Sequence, residues 1–347
     1  MASQSKTALP IVFGAMTFGD AGIEGVRVSN LKDAGAILDT FQAHGHREID
    51  TARLYGAGSS EKFLGELDWQ GRGLVMATKV LQTSGRDLGN MANKPELIYT
   101  LQGKDIRRAL MGSLAALGAT KIDLWYLHGP DRITNTPLEE TLREVNTLHK
   151  EGYFSRFGIS NFTSWEVAKI CEICNANGWV RPVVFQGLYN AVFRGVEQEL
   201  LPCLRHYGIA FYSYQPLAGG FLTTRYRRGM ADDEEEAGSR FDPKRWQGGL
   251  HRALYWHKDY FDALEDIIRP AIAKHGLTEA ECALRWVSHH SPLSRDQGDT
   301  ILIGASSVKQ LEHNLIDLEK GPLPGDVVKA LDAAWTKVKG VAIPYHH

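Results

Sequence analysis

The chain has 347 residues, of which 43% are hydrophobic and 23% are charged, and its formal net charge at pH 7 is -2. This composition supplies an ample core, and we interpret residues 1–347 as a single domain. The balanced charge excludes a general basic surface for nucleic acid or for an anionic membrane. Because residues 1–9 lack a signal-peptide core and no apolar run reaches about 18 residues, we expect a cytoplasmic protein without membrane partners.

The four cysteines are too few and too scattered for a disulfide framework, which favours a reduced compartment. Cys171 and Cys174 form a C-x-x-C pair inside a predicted helix at residues 165–176. A redox or metal pair is one interpretation. Since no second pair of cysteines or histidines completes a zinc site, we favour two small apolar residues on a helix and predict no metal.

Strand-like and helix-like segments alternate along the chain. Strands are predicted at residues 11–14 with a loop to 19, at a segment ending at residue 50, and at 74–79, 122–127, 157–160, 183–186, 209–213 and 300–303. Helices are predicted from Ser29 or Asn30 to 43, from Ser59 or Ser60 to 67, and at 101–117, 138–151, 165–176, 197–207, 262–275, 279–289, 308–317 and 325–338.

Two segments interrupt this alternation. Residues 82–95 form a polar insert after the third strand, and residues 217–258 form a long irregular region after the seventh. The long region contains an acidic run at 232–236, which we interpret as a solvated loop tip. A loop of that length in a compact domain is typical of a functional or mobile segment.

The count of eight strands, each followed by at least one predicted helix, predicts an α/β fold with a parallel sheet covered by helices. It favours closure into a (β/α)8 TIM barrel, with a long loop after strand seven and an extra C-terminal helix. No G-x-G-x-x-G turn follows the first strand, which argues against a doubly wound dinucleotide fold.

Polar residues stand where the predicted strands end, the position of catalytic groups in such barrels. They are Asp50, Lys79, His128, Ser160, Gln186 and Tyr212. Tyr55 follows Asp50 in a glycine-containing loop. An ammonium beside a phenol lowers its pKa, an aspartate holds the lysine, and a neutral histidine can donate a hydrogen bond to a carbonyl oxygen. This set predicts general acid catalysis that protonates an oxygen while hydride reaches the carbon.

These residues stand in motifs that resemble the aldo-keto reductases. The motifs are D-T-A-x-x-Y-G at 50–56, A-T-K at 77–79, Y-L-H at 126–128, G-I-S-N-F at 158–162, Gln186, F-Y-S-Y at 211–214 and I-G-A-S-S at 303–307. Residues 216–223 and 283–291 resemble the aflatoxin-aldehyde (succinic semialdehyde) reductase branch. The resemblance extends from about residue 10 to about residue 320, and it implies NADPH-dependent reduction of aldehydes and ketones.

The resemblance implies a role for each catalytic residue. Tyr55 is the general acid, Lys79 lowers its pKa, Asp50 pairs with Lys79, and His128 orients the carbonyl substrate. It also implies contacts for NADP(H). Ser160, Asn161 and Gln186 would bind the carboxamide and Tyr212 would stack on the nicotinamide; Pro216, Leu217, Gly219 and Arg225 would follow the pyrophosphate; Ser306, Gln310 and Asn314 would hold the adenosine end.

Two further groups of residues follow from the resemblance. Ser306, Lys309 or Arg240 would contact a 2′-phosphate, which favours NADP(H) over NAD(H). Met16, Trp246 and Tyr255 are the substrate candidates beside His128, and Arg252 or Arg240 could bind a substrate carboxylate. Leu254 occupies one arginine-like position of the branch pattern, which argues against a preference for short acidic aldehydes. Members of this branch form dimers, so a homodimer stays open.

Three alternatives remain at this point. A regulatory subunit could bind the nicotinamide nucleotide with little turnover. A lysine at a barrel strand end could form a Schiff base, which would make Lys79 the nucleophile of an aldolase. Tyr212 could be a core residue of strand seven instead of a cofactor contact.

Overall fold

The computed structural model describes residues 6–92, 94–231 and 239–346, so the acidic run predicted at 232–236 lies outside the described residues. Eight parallel strands form a closed barrel in sequence order, with β8 paired to β1. The strands are β1 Ile11–Gly14, β2 Glu48–Asp50, β3 Val75–Val80, β4 Ile122–Leu127, β5 Phe154–Ser160, β6 Val184–Leu188, β7 Ala210–Tyr214 and β8 Thr300–Ile303.

Helices surround the barrel. They are α1 Leu31–Ala43, α2 Ser59–Glu66, α3 Gly103–Ala116, α4 Leu138–Lys150, α5 Ser164–Asn177, α6 Leu200–Tyr207, α7 Trp246–Tyr255, α8 Lys258–Asp262, α9 Arg269–Ala273, α10 Glu279–His289, α11 Val308–Leu318 and α12 Gly325–Val338. The predicted (β/α)8 barrel is confirmed, including the C-terminal helix α12. Within the described part of the chain, no helix has the length and apolar content of a membrane span.

Local capping explains where several helices begin. The Asn30 side chain accepts a hydrogen bond from the Asp33 amide at 2.9 Å and starts α1. Ser307 accepts from the Gln310 amide at 3.2 Å and starts α11. Each bond satisfies one of the amides that a helix leaves unpaired at its first turn. The sequence predicted Ser29 or Asn30 as the start of α1, and Asn30 is the residue that caps it.

The loop after β7 differs from the prediction, because it contains the helix α7. Its N-cap residue, Arg245, provides no side-chain cap. Instead, Glu24 from the loop after β1 accepts a hydrogen bond from the Gln247 amide at 3.0 Å. Because this cap comes from a residue 223 positions away, the local sequence does not indicate where the helix begins. Gly248 and Gly249 also lower the helical propensity of the segment. The helix predicted at 262–275 is also divided, into α8, a π-helical segment Ala263–Ile268 and α9.

The amino-terminal end of the barrel is closed by charged side chains. Arg156 of β5 forms ion pairs with Asp123 of β4 and, at 3.1 Å, with Glu48 of β2. Its guanidinium also donates to the Tyr212 hydroxyl at 3.2 Å. Above this layer, small and branched apolar residues with two tyrosines fill the interior: Val12, Ala77, Leu124, Tyr126, Val184 and Tyr212. The barrel is thus a packed core, and its open end is the carboxyl end of the strands.

Candidate active site

A cavity of about 1190 Å³ opens at the carboxyl ends of the strands. That volume exceeds the range of about 300–1,000 Å³ that is usual for a small-molecule site. Most residues that the sequence placed in a site line this one cavity: Met16, Asp50, Tyr55, His128, Ser160, Asn161, Gln186, Pro216, Leu217, Gly219, Arg225, Arg240, Trp246, Ser306, Gln310 and Asn314. The fold therefore brings together residues that span nearly 300 positions of the chain.

A buried ion pair lies at the base of the cavity. The Lys79 ammonium donates to Asp50 Oδ1, and at 2.8 Å to the Thr51 carbonyl oxygen. The exposed fractions of the two side chains are 0% and 3%. Burial disfavours both charges, so it lowers the pKa of Lys79 and raises that of Asp50, and each charge opposes the shift of its partner. Neither group can lose its partner without leaving an uncompensated buried charge.

Tyr55 lies above this pair, in the turn Tyr55–Gly58 that follows β2. Its hydroxyl is 3.5 Å from His128 Nε2, and the two rings meet edge-on with centroids 5.6 Å apart. The Lys79 ammonium lies 5.2 Å from the centre of the Tyr55 ring. Burial, with the charge of Asp50, raises the pKa of Tyr55 well above its usual value. The lowering of this pKa by Lys79 stays a prediction, and in the structure burial and Asp50 act in the opposite direction and favour the protonated hydroxyl.

Hydrogen bonds fix His128 from two sides. Its backbone amide donates to the Val80 carbonyl at 2.8 Å, and its carbonyl accepts from Asn161 Nδ2 at 2.8 Å. Asn161 has a left-handed backbone, with φ of +65°. The Tyr214 hydroxyl in turn donates to Asn161 Oδ1 at 2.9 Å. This chain of bonds connects the end of β7 with the histidine at the end of β4.

Ser160 and Gln186 are neighbours in the barrel, because they pair between β5 and β6. Gln186 Nε2 donates to Asp50 Oδ2 at 2.9 Å, a contact that the sequence did not predict. Ser160 Oγ is buried and has no hydrogen-bond partner among the described residues. Because an orphaned buried hydroxyl is costly, this atom fits a polar ligand group at the cavity wall.

Tyr212, which the sequence predicted to stack on the nicotinamide, does not line the cavity, whereas Tyr214 does. Residues i and i+2 of a strand point to the same face, so both tyrosines point inward. β7 continues to Tyr214, one residue beyond the predicted end. Tyr212 therefore lies in the interior layer, bonded to Arg156, while Tyr214 is at the mouth. The alternative that made Tyr212 a core residue describes its place.

Two predicted substrate residues also lie outside the cavity wall. Tyr255 has 0% exposure and packs among aromatic rings, with Tyr260 at 5.6 Å. Arg252 stacks on Trp256 at 4.1 Å and donates to the Phe241 carbonyl at 2.7 Å. Both side chains belong to the face of α7 that packs away from the cavity. The sequence predicted an irregular region here, and such a prediction does not indicate which way a side chain points.

Cationic groups line the side of the cavity near β1 and β8. Arg240 Nη2 is 3.9 Å from the point where a side chain on Gly304 would begin. Burial and the neighbouring charge of Arg27 lower the pKa of Arg240. Both arginines line the cavity, and positive charge on this side favours an anionic ligand. Arg27 and His313 of α11 also line the cavity and were not predicted from the sequence. His313 lies one helical turn from Gln310, and this spacing could have indicated it.

Comparisons with known proteins agree with this geometry. The model of the aldo/keto reductase family matches residues 10–336. The chain is 50% identical over 343 residues to the aldo-keto reductase pigE of Monascus ruber, covering 99% of this chain and 98% of that protein. It is 41% identical over 330 residues to aflatoxin B1 aldehyde reductase member 2 of Mus musculus, with 94% and 84% covered. It is 40% identical over 339 residues to aflatoxin B1 aldehyde reductase member 4 of Homo sapiens, with 96% of each covered.

Proposed function

Because the chain belongs to the aldo/keto reductase family, we propose that it is an NADPH-dependent reductase of aldehydes and ketones. The observation that carries the proposal is the position of the Tyr55 hydroxyl. It stands 3.5 Å from His128 Nε2 at the wall of the cavity, above the buried Lys79–Asp50 pair. Two hydrogen-bond donors that converge beside a cation suit the protonation of a carbonyl oxygen.

The residues of the cavity fit a nicotinamide dinucleotide. Ser160 Oγ, which no described residue pairs with, would hold a carboxamide together with Asn161 and Gln186. The Tyr214 ring would stack on the nicotinamide. Arg27, Arg225 and Arg240 supply positive charge for the phosphates. Ser306, Gln310 and Asn314 would hold the adenosine end, at the amino terminus of α11. The reduced nicotinamide, when bound, supplies the hydride.

The protein's own part is to place the carbonyl and to deliver a proton. His128 Nε2 orients the carbonyl oxygen, and the raised pKa of Tyr55 keeps its proton on the hydroxyl until the oxygen gains negative charge. The Lys79 ammonium, 5.2 Å from the ring, then stabilises the phenolate that remains. Asp50 holds Lys79 in place and charged. In this scheme Tyr55 gives up its proton only when negative charge develops on the carbonyl oxygen.

Positive charge on the β8 side favours NADP(H) over NAD(H). Arg240 and Ser306 line the cavity there, and Lys309 stands in the first turn of α11. A 2′-phosphate carries about two charges and accepts hydrogen bonds from such groups. We therefore expect NADPH to be the better reductant.

Reductase activity is tested by following NADPH oxidation by the purified protein with 4-nitrobenzaldehyde and with succinic semialdehyde. We expect turnover with both NADPH and an aldehyde present, and a lower kcat/KM with NADH. Tight NADPH binding without turnover would support the regulatory subunit instead. Covalent trapping at Lys79 by borohydride with a carbonyl compound would support the aldolase, although the ion pair with Asp50 holds that amine protonated and buried.

The two tyrosines of β7 give a matched pair of variants. We expect Tyr214→Leu to raise the Kd for NADPH by about 10-fold or more, because it removes a ring of the cavity wall and the hydrogen bond to Asn161. Tyr212→Leu should leave this Kd within about 3-fold and instead lower stability, by about 3 kcal/mol, through a cavity in the barrel interior. Fluorescence titration with NADPH and thermal unfolding measure both quantities. Equal effects on binding would contradict the reassignment.

A further inference from the structure

The side of the cavity near β2, β3 and β4 has an apolar wall. Leu81 and Leu88, from the loop after β3, pack with Leu54 and with Trp246 of α7, and all four line the cavity. The barrel runs in sequence order, so this wall faces the β7 and β8 side, where the dinucleotide residues lie. With the dinucleotide held as proposed, this wall would be left for the substrate, and it fits an extended apolar one.

Arg86 is set into this apolar wall and lines the cavity. Its Nε donates to Gln82 Oε1 at 2.9 Å, and its Nη2 donates to the Pro130 carbonyl at 3.4 Å. Within the described part of the chain, Nη1 donates no hydrogen bond, and no carboxylate lies within ion-pair distance of Arg86. Burial lowers the pKa of this guanidinium. The charge of Asp131 opposes this shift and that of Arg132 adds to it. A half-buried guanidinium at a cavity wall, with one nitrogen that donates no hydrogen bond and no carboxylate at ion-pair distance, can bind a ligand oxygen.

Arg86 is close to the catalytic histidine. Pro130, its hydrogen-bond partner, is two residues beyond His128, and such a segment spans at most about 7 Å. Arg240, by contrast, lies beside Gly304 at the end of β8. A group that binds Arg86 thus belongs to the molecule that presents its carbonyl to Tyr55 and His128, and not to the phosphates of a dinucleotide.

We propose that Arg86 is a substrate-specificity residue, which binds an oxygen-bearing group on an extended, mostly apolar carbonyl compound. The group is a carboxylate or the carbonyl of an ester, since both accept hydrogen bonds from the guanidinium fork. This inference rests on the proposed reductase function. The polar substrate contact predicted for Arg252 or Arg240 is thus assigned to Arg86 in the loop after β3. From the sequence, this loop was interpreted only as a polar insert.

Five aldehydes test the proposal in NADPH-dependent turnover. They are benzaldehyde, 4-formylbenzoate, 4′-formylbiphenyl-4-carboxylate and the methyl esters of the two acids. For at least one acid or ester, Arg86→Met should lower kcat/KM by about 10-fold or more, the usual effect of losing a hydrogen bond to a charged group. Arg86→Lys should recover part of the loss, and benzaldehyde should change by less than about 3-fold. Loss for an acid alone identifies carboxylate recognition, and loss for an ester as well identifies the carbonyl.

The adjacent Arg132 is the control, because it pairs with Glu166 and does not line the cavity. Arg132→Met should leave the ratio of substituted to unsubstituted aldehyde unchanged. The same loss in both variants, or an equal change for all five aldehydes, would overturn the proposal. Absence of benzaldehyde turnover in the unaltered protein would count against the reductase itself. Calorimetric binding of 4-formylbenzoate to that protein and to Arg86→Met would then decide whether Arg86 forms the site.

Discussion

Replacing Tyr55 by phenylalanine is expected to lower kcat for aldehyde reduction by about 10³-fold, within the range that general acid catalysis contributes. The substitution keeps the ring, its edge-on contact with His128 and its place above Lys79. It removes only the hydroxyl that would protonate the carbonyl oxygen. We therefore expect the Kd for NADPH to stay within about 3-fold, so that the loss appears in kcat. Steady-state rates and fluorescence titration measure the two quantities.

Tyr126 supplies the matched control for this experiment. It is another buried tyrosine beside the same ammonium, with its ring centre 5.6 Å from Lys79 Nζ. Its hydroxyl is buried in the barrel interior, away from the cavity wall, and no described residue forms a hydrogen bond with it. Tyr126→Phe should thus keep kcat within about 3-fold. If Tyr55→Phe retained more than about a tenth of the activity, Tyr55 would not be the acid.

The pKa of Tyr55 sets an expectation for the pH dependence of the same reaction. Burial and Asp50 raise this pKa above the usual value for a phenol. The protonated form needed for reduction is then complete throughout the neutral range, and it is lost only when the pH rises through the raised pKa. A loss of kcat between pH 6 and 8 would have to come from another group.

Hydrophobic periodicity was sufficient to predict the barrel. All eight strands and the terminal helix α12 lie where the alternating apolar segments indicated them. Each element buries its apolar residues against the same core, so its periodicity is visible in the sequence. The predicted strand ends also placed Asp50, Lys79 and His128 at the open end of the barrel. Those three positions depend on where each short strand ends, and an error of one residue would place a different side chain at the open end.

The same sensitivity applies at the end of β7. Tyr212 and Tyr214 share one face of the strand, so alternation cannot distinguish them, and only the point at which β7 ends decides which ring reaches the cavity. Arg252 and Tyr255 were misplaced for another reason. Their direction depends on α7, whose amino terminus is capped by Glu24 from a distant loop. Long-range contacts of this kind leave no trace in local sequence patterns.

The second large effect is expected from the buried pair beneath Tyr55. Lys79→Met leaves the Asp50 carboxylate, whose exposed fraction is 3%, without its cation. Removing one partner of a buried ion pair costs about 3–5 kcal/mol, because the remaining charge stays desolvated. The free energy of unfolding from urea titration should fall by this amount, and kcat should fall with it.

The double variant Asp50→Asn with Lys79→Met separates the two consequences. It removes both charges, and the new side-chain oxygen can still accept the hydrogen bond from Gln186. We expect most of the lost stability to return, since no buried charge remains without its partner. Activity should not return, because the cation that stabilises the Tyr55 phenolate is absent. Recovery of kcat together with stability would mean that the pair only supports the fold, and the phenolate would then need another source of stabilisation.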